Sequence, residues 1–407
     1  MERPKLRALN TVPVKHDGQE LICLYDATGV SDKQVLVNAQ TLFILSRFDG
    51  EHTLDEIKLA YTRRYGELLL GDRVARIIGQ LDEALLLEGE RLERHLAEQL
   101  DAYRRSGVRQ PVHAEGGYPR EPDELRAYVR SFFTMEGGPG LPEPPEQPSP
   151  IAALVAPHID FERGARGYAH AYKALAESAP VDTYVILGIA HQPTSTPYVA
   201  TRNAFATPLG TVEVDGGLLE LIESEYPGDL YADELVHATE HSVEFQVVML
   251  RALFEDRPFR IVPLLAASFE PFVPDGGAPV SLPQVEAMVR ALRRALSGEG
   301  GRVCLIAAVD LAHVGNQFGD PGALPATARE AIETKDRATL AAAESGDAEA
   351  FLASVETDNG YRKICGVPAL YTMLCAVGGA TGRLLHYEQA FTPEIQSMVS
   401  FAAMVFR

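Results

Sequence analysis

The chain has 407 residues, 46% of them apolar, enough to build a large core without cross-links. A formal charge of -20 and a pI of about 5.0 exclude the basic face that nucleic acid or an anionic membrane surface requires. The length sets an expectation of two domains.

Cys23, Cys304, Cys365 and Cys375 are scattered, with no CxxC pair, so neither a disulfide framework nor a zinc ribbon is expected. The N-terminal "MERPKLRALNTVPVKHDGQE" has no apolar signal core, and no segment approaches the roughly 20 apolar residues of a membrane span. A soluble, cytoplasmic protein with reduced thiols is the expectation.

In chain order, "QELICLYDATGV" reads as a short hairpin. "NAQTLFILSRFDGEHTLDEIKLAYTRRYG" holds two helical patterns split by the turn at Asp49-Gly50, and Thr53 with Glu56 forms a capping box. "GDRVARIIGQLDEALLLEGERL" carries apolar residues at i, i+3 and i+4 and predicts a third helix. Short strands followed by three helices make residues 1–105 a small winged-helix-like α+β module. "YPREPDELRAYVRSFFTM" predicts an amphipathic helix packed on the α/β region C-terminal to it. The Pro-rich "GGPGLPEPPEQPSP" (137–150) predicts a loop within the second domain, 106–407.

From Ile151 the pattern is α/β. The apolar runs "IAALVAPH", "TYVILGIAH", "FRIVPLLAAS", "RVCLIAAVDLAH" and "MVSFAAMVF" alternate with helical stretches such as "GYAHAYKALAES", "HSVEFQVVMLRALFE" and "LPQVEAMVRALRRALSG". This predicts a central mixed, partly parallel sheet flanked by helices. No GxGxxG or Walker sequence opens a helix, so a nucleotide-binding fold is not supported.

Ligands of open α/β sheets bind outside the carboxyl ends of the strands, where His158, His191, Asp310 and His313 fall. Imidazole is a common ligand of zinc, copper and iron, and two histidines with one anionic donor leave positions open for chemistry. "HATEHSVEFQ" offers His237, Glu240, His241, Glu244 and Gln246; Glu240 and Glu244 share a face if helical, or a helix starting near His241 aims side chains at the strand ends. Cys365, followed by Gly366, is a loop thiol beside a helix N-terminus, where the dipole favours a reactive or metal-binding thiolate.

Plainer readings stand beside these. A strand-end histidine is often bonded to a loop carbonyl, Asp310 could cap a following helix, and Glu244 could pair with Arg251 at the surface. Cys365 could be a small buried hydrophobe, as expected for Cys304 and Cys375. His170, mid-helix, and His386, in a late strand, are read as structural. Several histidines at strand ends of one sheet nonetheless point to a shared site.

Val108 to Arg407 resembles the Memo family (AmmeMemoRadiSam system protein B), on "HAEGGYPREPDELRAYVRSFF", "VAPHIDFERGARGYAHAY", "ILGIAHQP", "ATPLGTVEVD", "EHSVEFQ", "AAVDLAH" and "ICGVPAL", in matching order and spacing. The resemblance implies a fold similar to class III extradiol dioxygenases, with His158, His191 and Cys365 as metal ligands. It implies that Asp310 and His313 line the same pocket, His313 as general base, and that Glu240, His241 and Glu244 form its other wall. The chain departs from the family pattern at "GIAH", at Asp160 and Phe161, and at "CGV", which lacks a following Arg. A cysteine ligand favours iron or copper over magnesium. The implied function is redox or dioxygenase-like chemistry on a small or phenolic substrate, with iron first and copper or zinc as alternatives. "FILSRFDGEHTLDEIKLAYTRRYG" and "LDEALLLEGE" resemble the PqqD-like peptide chaperones, implying a peptide or radical-SAM partner docked by strand addition. The rival readings are a peptide- or protein-binding module in which the metal-site cleft recognises a protein segment without catalysis, and zinc hydrolysis with Glu244 as base; the latter lacks an HExxH helix.

Overall fold

A computed structural model of the chain describes residues 2–16, 18–26, 28–143, 145–273, 277–298 and 302–407. It divides into two compact units, Met1–Arg105 and Ser106–Arg407. In the first, β1 (Asn10–His16), β2 (Gln19–Tyr25) and β3 (Gln34–Val37) form an antiparallel sheet in that order. "QELICLY" is therefore its middle strand, paired on both sides, and not a complete hairpin. Four helices follow: α1 (Ala39–Leu45), α2 (Leu54–Tyr65), α3 (Gly71–Glu83) and α4 (Glu90–Ser106).

The capping box at Thr53 and Glu56 forms as the sequence predicts. The single helix expected over "GDRVARIIGQLDEALLLEGERL" is instead two. Leu85 turns the chain at φ 58°, sending Leu86 and Leu87 into the core, where both are 1% exposed or less. The Arg7 amide donates to the Leu86 carbonyl, which the break has freed from the helix ladder. Burial of two leucines outweighs helix continuity here.

The second unit runs β4 (Val108–Arg109), α5 (Pro122–Thr134), β5 (Ala153–Ala156), α6 (Phe161–Ala176), β6 (Thr183–Ile189), β7 (Tyr198–Ala200), β8 (Ala204–Thr207), β9 (Gly210–Val212) and α7 (Gly216–Glu225). It continues through α8 (His241–Leu253), β10 (Arg260–Ala266), α9 (Pro283–Leu296), β11 (Val303–Ala308), β12 (Asp310–Gly315), α10 (Ala326–Glu344), α11 (Ala348–Glu356), α12 (Val367–Val377), β13 (Gly382–Thr392) and β14 (Ser397–Phe406). Among the described residues eight strands make one mixed sheet, in the order β12-β14-β5-β11-β6-β10-β7, with β13 on β14. The central β5, β11, β6 and β10 are parallel. The outer strands β7, β12, β13 and β14 pair antiparallel.

Every residue of β6 is buried, because the sheet is covered on both faces. Val185, Leu187 and Ile189 pack into the core with α7, α9 and α12. Tyr184 and Ile186, pointing the other way, pack with α5, α6 and α8. The Pro-rich segment carries no helix or strand among its described residues, and Lys173 of α6 holds the Gly140 and Leu141 carbonyls at 3.4 and 2.8 Å. After β11 only Val309 intervenes before β12, so Asp310 opens a strand and caps no helix. Among the described residues no helix is long and apolar enough to cross a membrane.

Candidate metal centre

The parallel strands β5 and β6 end side by side across β11, and the chain emerging from each carries a histidine two residues on, His158 and His191. Both rings are held by Nδ1. For His158, Nδ1 lies 2.9 Å from the Ala308 carbonyl at the end of β11. For His191, Nδ1 lies 2.9 Å from Glu240 Oε2. A carbonyl only accepts, and a carboxylate accepts when ionised, so Nδ1 carries a proton in each ring and Nε2 is the nitrogen left to take a cation or a second proton.

Glu240 is there because α8 begins there. Its carboxylate caps the helix, accepting from the amides of His241 and Ser242 at 2.8 and 2.9 Å. Ser242 stitches the helix to β6: its Oγ accepts from the Ile189 amide at 2.9 Å and reaches the Ile189 carbonyl at 3.2 Å. Gly188 permits this approach, since a Cβ on it would sit 2.6 Å from Ser242 Oγ. His241, the first residue of α8, stacks on His191 with ring centroids 4.9 Å apart.

The third donor arrives from the loop before α12. Gly366 caps that helix where a Cβ would meet Val309 Cγ1 at 2.1 Å and the Asp310 carbonyl at 2.8 Å. This close passage brings Cys365 Sγ to 3.3 Å from His158 Nε2. Donor atoms of His158, His191 and Cys365 all lie within 4.8 Å of one another. Those of His191, Glu240 and His241 form a second such group. In that group Glu240 already serves His191, His241 and Ser242, so its carboxylate orients the His191 ring.

The electrostatics suit a cation. Burial, with repulsion from His191, pushes His158 down to about 3, and burial pushes His241 down to about 4. Both rings are therefore neutral donors at neutral pH. Burial lowers His191 too, but its bond to Glu240 outweighs this and holds it above its ordinary value. Burial opposes ionisation of Glu240 as well, and the His191 bond reverses that, leaving the carboxylate charged. The Cys365 thiol is raised well above its ordinary value by burial and by Asp310. The helix dipole invoked for this cysteine does not prevail, and a thiolate here needs a cation beside it. Two Nε2 lone pairs, a thiol awaiting a cation and a buried carboxylate behind one histidine fit a metal ion.

Asp310 is 2% exposed, and burial raises its carboxyl. Its Oδ1 accepts the His158 amide at 3.0 Å, and its Oδ2 lies 3.6 Å from His158 Nε2. His313 sits further along β12, with Nδ1 3.0 Å from the Leu311 carbonyl and its ring edge-on to Phe318. Burial lowers it, with Asp310 opposing.

Glu244 stands outside both donor groups. It is 1% exposed and does not pair with Arg251, which instead donates to the Leu209 carbonyl. Glu244 Oε1 accepts from the His113 amide at 3.1 Å and from the Tyr118 hydroxyl; Oε2 takes Arg109 and His113 Nδ1. With both oxygens doubly engaged, no lone pair is left to act as a base. Sequence reasoning misses Arg109, His113 and Tyr118. Their signal is the "VRQPVHAEGGYP" stretch, but a salt bridge spanning 135 residues has no local signature.

His170 and His386 lie in α6 and β13, stacked on each other at 4.6 Å. A separate recess of about 600 Å³, walled by Glu121, Glu124, Tyr128, Asp160 and Glu162, shares Tyr118 with this network but none of the clustered donors.

The model of the Memo-like protein family matches residues 109–405. A MEMO1 family protein of Aquifex aeolicus is 27% identical over 407 residues, 99% of this chain and 100% of the relative. One from Methanopyrus kandleri is 30% identical over 306 residues, covering 74% of this chain and 99% of its own length. One from Thermus thermophilus is 26% identical over 354 residues, 87% of this chain and 98% of its own. The motifs at His158, His191, Asp310 and Cys365 all lie within the matched span, and the chain belongs to the Memo family.

Proposed function

We propose that this chain binds a metal ion through His158 Nε2, His191 Nε2 and Cys365 Sγ, and acts on a small or phenolic substrate. The observation that carries the reading is the anchoring of both imidazoles by Nδ1, which leaves Nε2 as the remaining donor of each ring, with Cys365 Sγ 3.3 Å from that of His158. Iron is the first candidate and copper or zinc the alternatives, because imidazole with thiolate is a borderline-soft set. When bound, such an ion would supply Lewis acidity at its open positions, and iron or copper would supply electron transfer as well.

The protein's own groups do the rest. Glu240 holds His191 in one tautomer and orientation. Asp310 fixes the His158 backbone beside the centre. His313, kept neutral by burial, takes the proton of a substrate hydroxyl. The β5, β6 and β11 ends form a dry floor under the substrate.

The test is metal content by mass spectrometry on anaerobically purified protein, beside a His158→Ala/His191→Ala variant. Near-stoichiometric iron or copper, lost in the variant, is expected. No metal in either sample after reconstitution would overturn the reading.

The binding-module reading has one observation in its favour. Leu59, Leu68 and Leu70 of the first unit are 49%, 81% and 68% exposed. Such side chains suit a peptide or radical-enzyme partner. Peptide capture by the full chain that survives Leu68→Asp/Leu70→Asp would count against it.

A further inference from the structure

Arg109 and Arg362 are among the largest fully buried side chains, each 1% exposed. A guanidinium keeps its charge, so each needs a full set of acceptors inside the protein. The two sets lie in different halves of the site.

Arg109 serves the half that carries Glu240. It donates to the Glu240 carbonyl at 2.8 Å, to the His237 carbonyl at 3.1 Å and to Glu244. It thereby holds the turn that delivers Glu240 to His191.

Arg362 serves the other half. Its Nη1 donates to Asp336 Oδ1 at 2.9 Å and to Thr339 Oγ1 at 3.0 Å, both on α10. Nε pairs with Asp358 and Nη2 donates to the Ser354 carbonyl at 3.2 Å. Asp336 Oδ2 accepts from Tyr387 of β13 at 3.0 Å and from Ser400 of β14. Ser400 Oγ in turn accepts from the Ala312 amide at 2.9 Å. The neighbouring His313 amide donates to Arg362's own carbonyl at 2.7 Å. The bonds close a ring from Arg362 through Asp336, Ser400 and β12 back to Arg362. Cys365 follows in the same loop.

A buried ion pair of this kind is a weak source of stability, because its desolvation offsets its attraction. What it provides is register. The planar fork of Arg362 admits one arrangement of the loop against α10, and the His313 bond locks that loop to β12.

We propose that Arg362 is a positioning residue. With Asp336 it sets the Asp358–Cys365 loop against β12 so that Cys365 Sγ meets His158 Nε2, while Arg109 independently sets the His191–Glu240 half. The proposal rests on the metal-ligand reading and deepens it.

The experiment compares wild type with Arg362→Lys, Asp336→Asn and Arg109→Lys, folding being checked by circular dichroism. Lysine keeps the charge and loses the fork; asparagine keeps the shape and loses the charge. Two readouts are taken: Co²⁺ titration, watching the near-ultraviolet thiolate-to-cobalt band, and Cys365 alkylation in metal-free protein by peptide mass spectrometry. Arg362→Lys and Asp336→Asn are expected to lose the thiolate band and bind Co²⁺ about tenfold more weakly or worse. They are expected to alkylate Cys365 about tenfold faster or more, as a thiol released from burial does. Arg109→Lys is expected to keep the thiolate band and wild-type alkylation while binding Co²⁺ more weakly. A folded Arg362→Lys with the wild-type band and alkylation rate would overturn the proposal. So would unfolding of both Arg362→Lys and Asp336→Asn, which would make the network a stability element. A wild type without a thiolate band would sink the ligand reading instead, and alkylation would still decide the positioning.

Discussion

Cys365 Sγ lies 3.3 Å from Nε2 of His158, across 207 residues of chain. The contact exists because two segments converge on the end of β11: His158 is tied to the Ala308 carbonyl, and Gly366 passes over Val309 with no room for a side chain. A half-buried thiol facing a neutral imidazole is a pair that a borderline-soft cation would complete.

Cys365→Ser removes the soft donor and keeps its size. Copper and zinc are expected to bind about tenfold more weakly or worse, with little change in fold stability, as read by competition against a chromophoric chelator. Unchanged affinity would show that the sulfur does not ligate.

Glu240→Gln leaves an oxygen to cap α8 and removes the charge behind His191. Metal affinity is expected to fall about 10- to 100-fold, while the unfolding midpoint moves little. Equal affinity would mean that Glu240 is only a helix cap.

His313→Ala is expected to keep wild-type metal content, since His313 stands outside both donor groups. Oxygen consumption with a phenolic substrate should fall by about 10²-fold or more. Full activity in that variant would remove His313 from the proton-transfer role.

Gly366→Ala forces a methyl into contact with Val309 and the Asp310 carbonyl. Urea denaturation should show a loss of about 1–3 kcal/mol, and metal content should fall with it because the loop carrying Cys365 must move. A variant as stable as wild type would show that the loop shifts freely.

Stability of the metal-free protein should fall with acid. Burial pushes His158 down to about 3 and His237 down to about 4. An unfolded histidine binds its proton near 6.5. Between these values the unfolded chain holds more protons, so stability rises with pH in that window and is lost as pH drops from about 6.5 towards 4. The slope is at most about 1.4 kcal/mol per pH unit for each histidine. His237 is the cleaner reporter: its Nε2 is tied to the Val199 carbonyl, and among the described residues its buried Nδ1 has no partner to receive a second proton's bond. Denaturant midpoints measured at several pH values for wild type and His237→Gln should show a shallower acid loss in the variant. Identical profiles would place the acid sensitivity elsewhere.

The alternation of apolar runs with helical stretches is enough to read the mixed sheet, because a strand covered on both faces must be apolar throughout, as β6 is. The strand-end histidines are legible for the same reason: a polar residue closing an apolar run marks where the sheet meets a cleft. The helix break at Leu85 is not legible, since helix periodicity continues through it and only the tertiary core decides that Leu86 and Leu87 turn inward. Asp310 reads locally as a helix-cap candidate because its strand pairing with β14 is made from the far end of the chain.

What the sequence by itself determined is the set of chemical groups, the places of His158 and His191 just past strand ends, and membership of the family. Asp310 opens β12 and His313 lies within it, so neither sits at the carboxyl end where the apolar run placed them. What the tertiary structure decided is which groups share a centre. It moved Glu244 onto Arg109, His113 and Tyr118, made Glu240 the anchor of His191, and brought Cys365 to His158. Local pattern records periodicity and burial, which neighbours along the chain impose. Donor convergence depends on loops crossing at van der Waals distance and on buried arginines whose acceptors lie far off in sequence, and no local pattern encodes either.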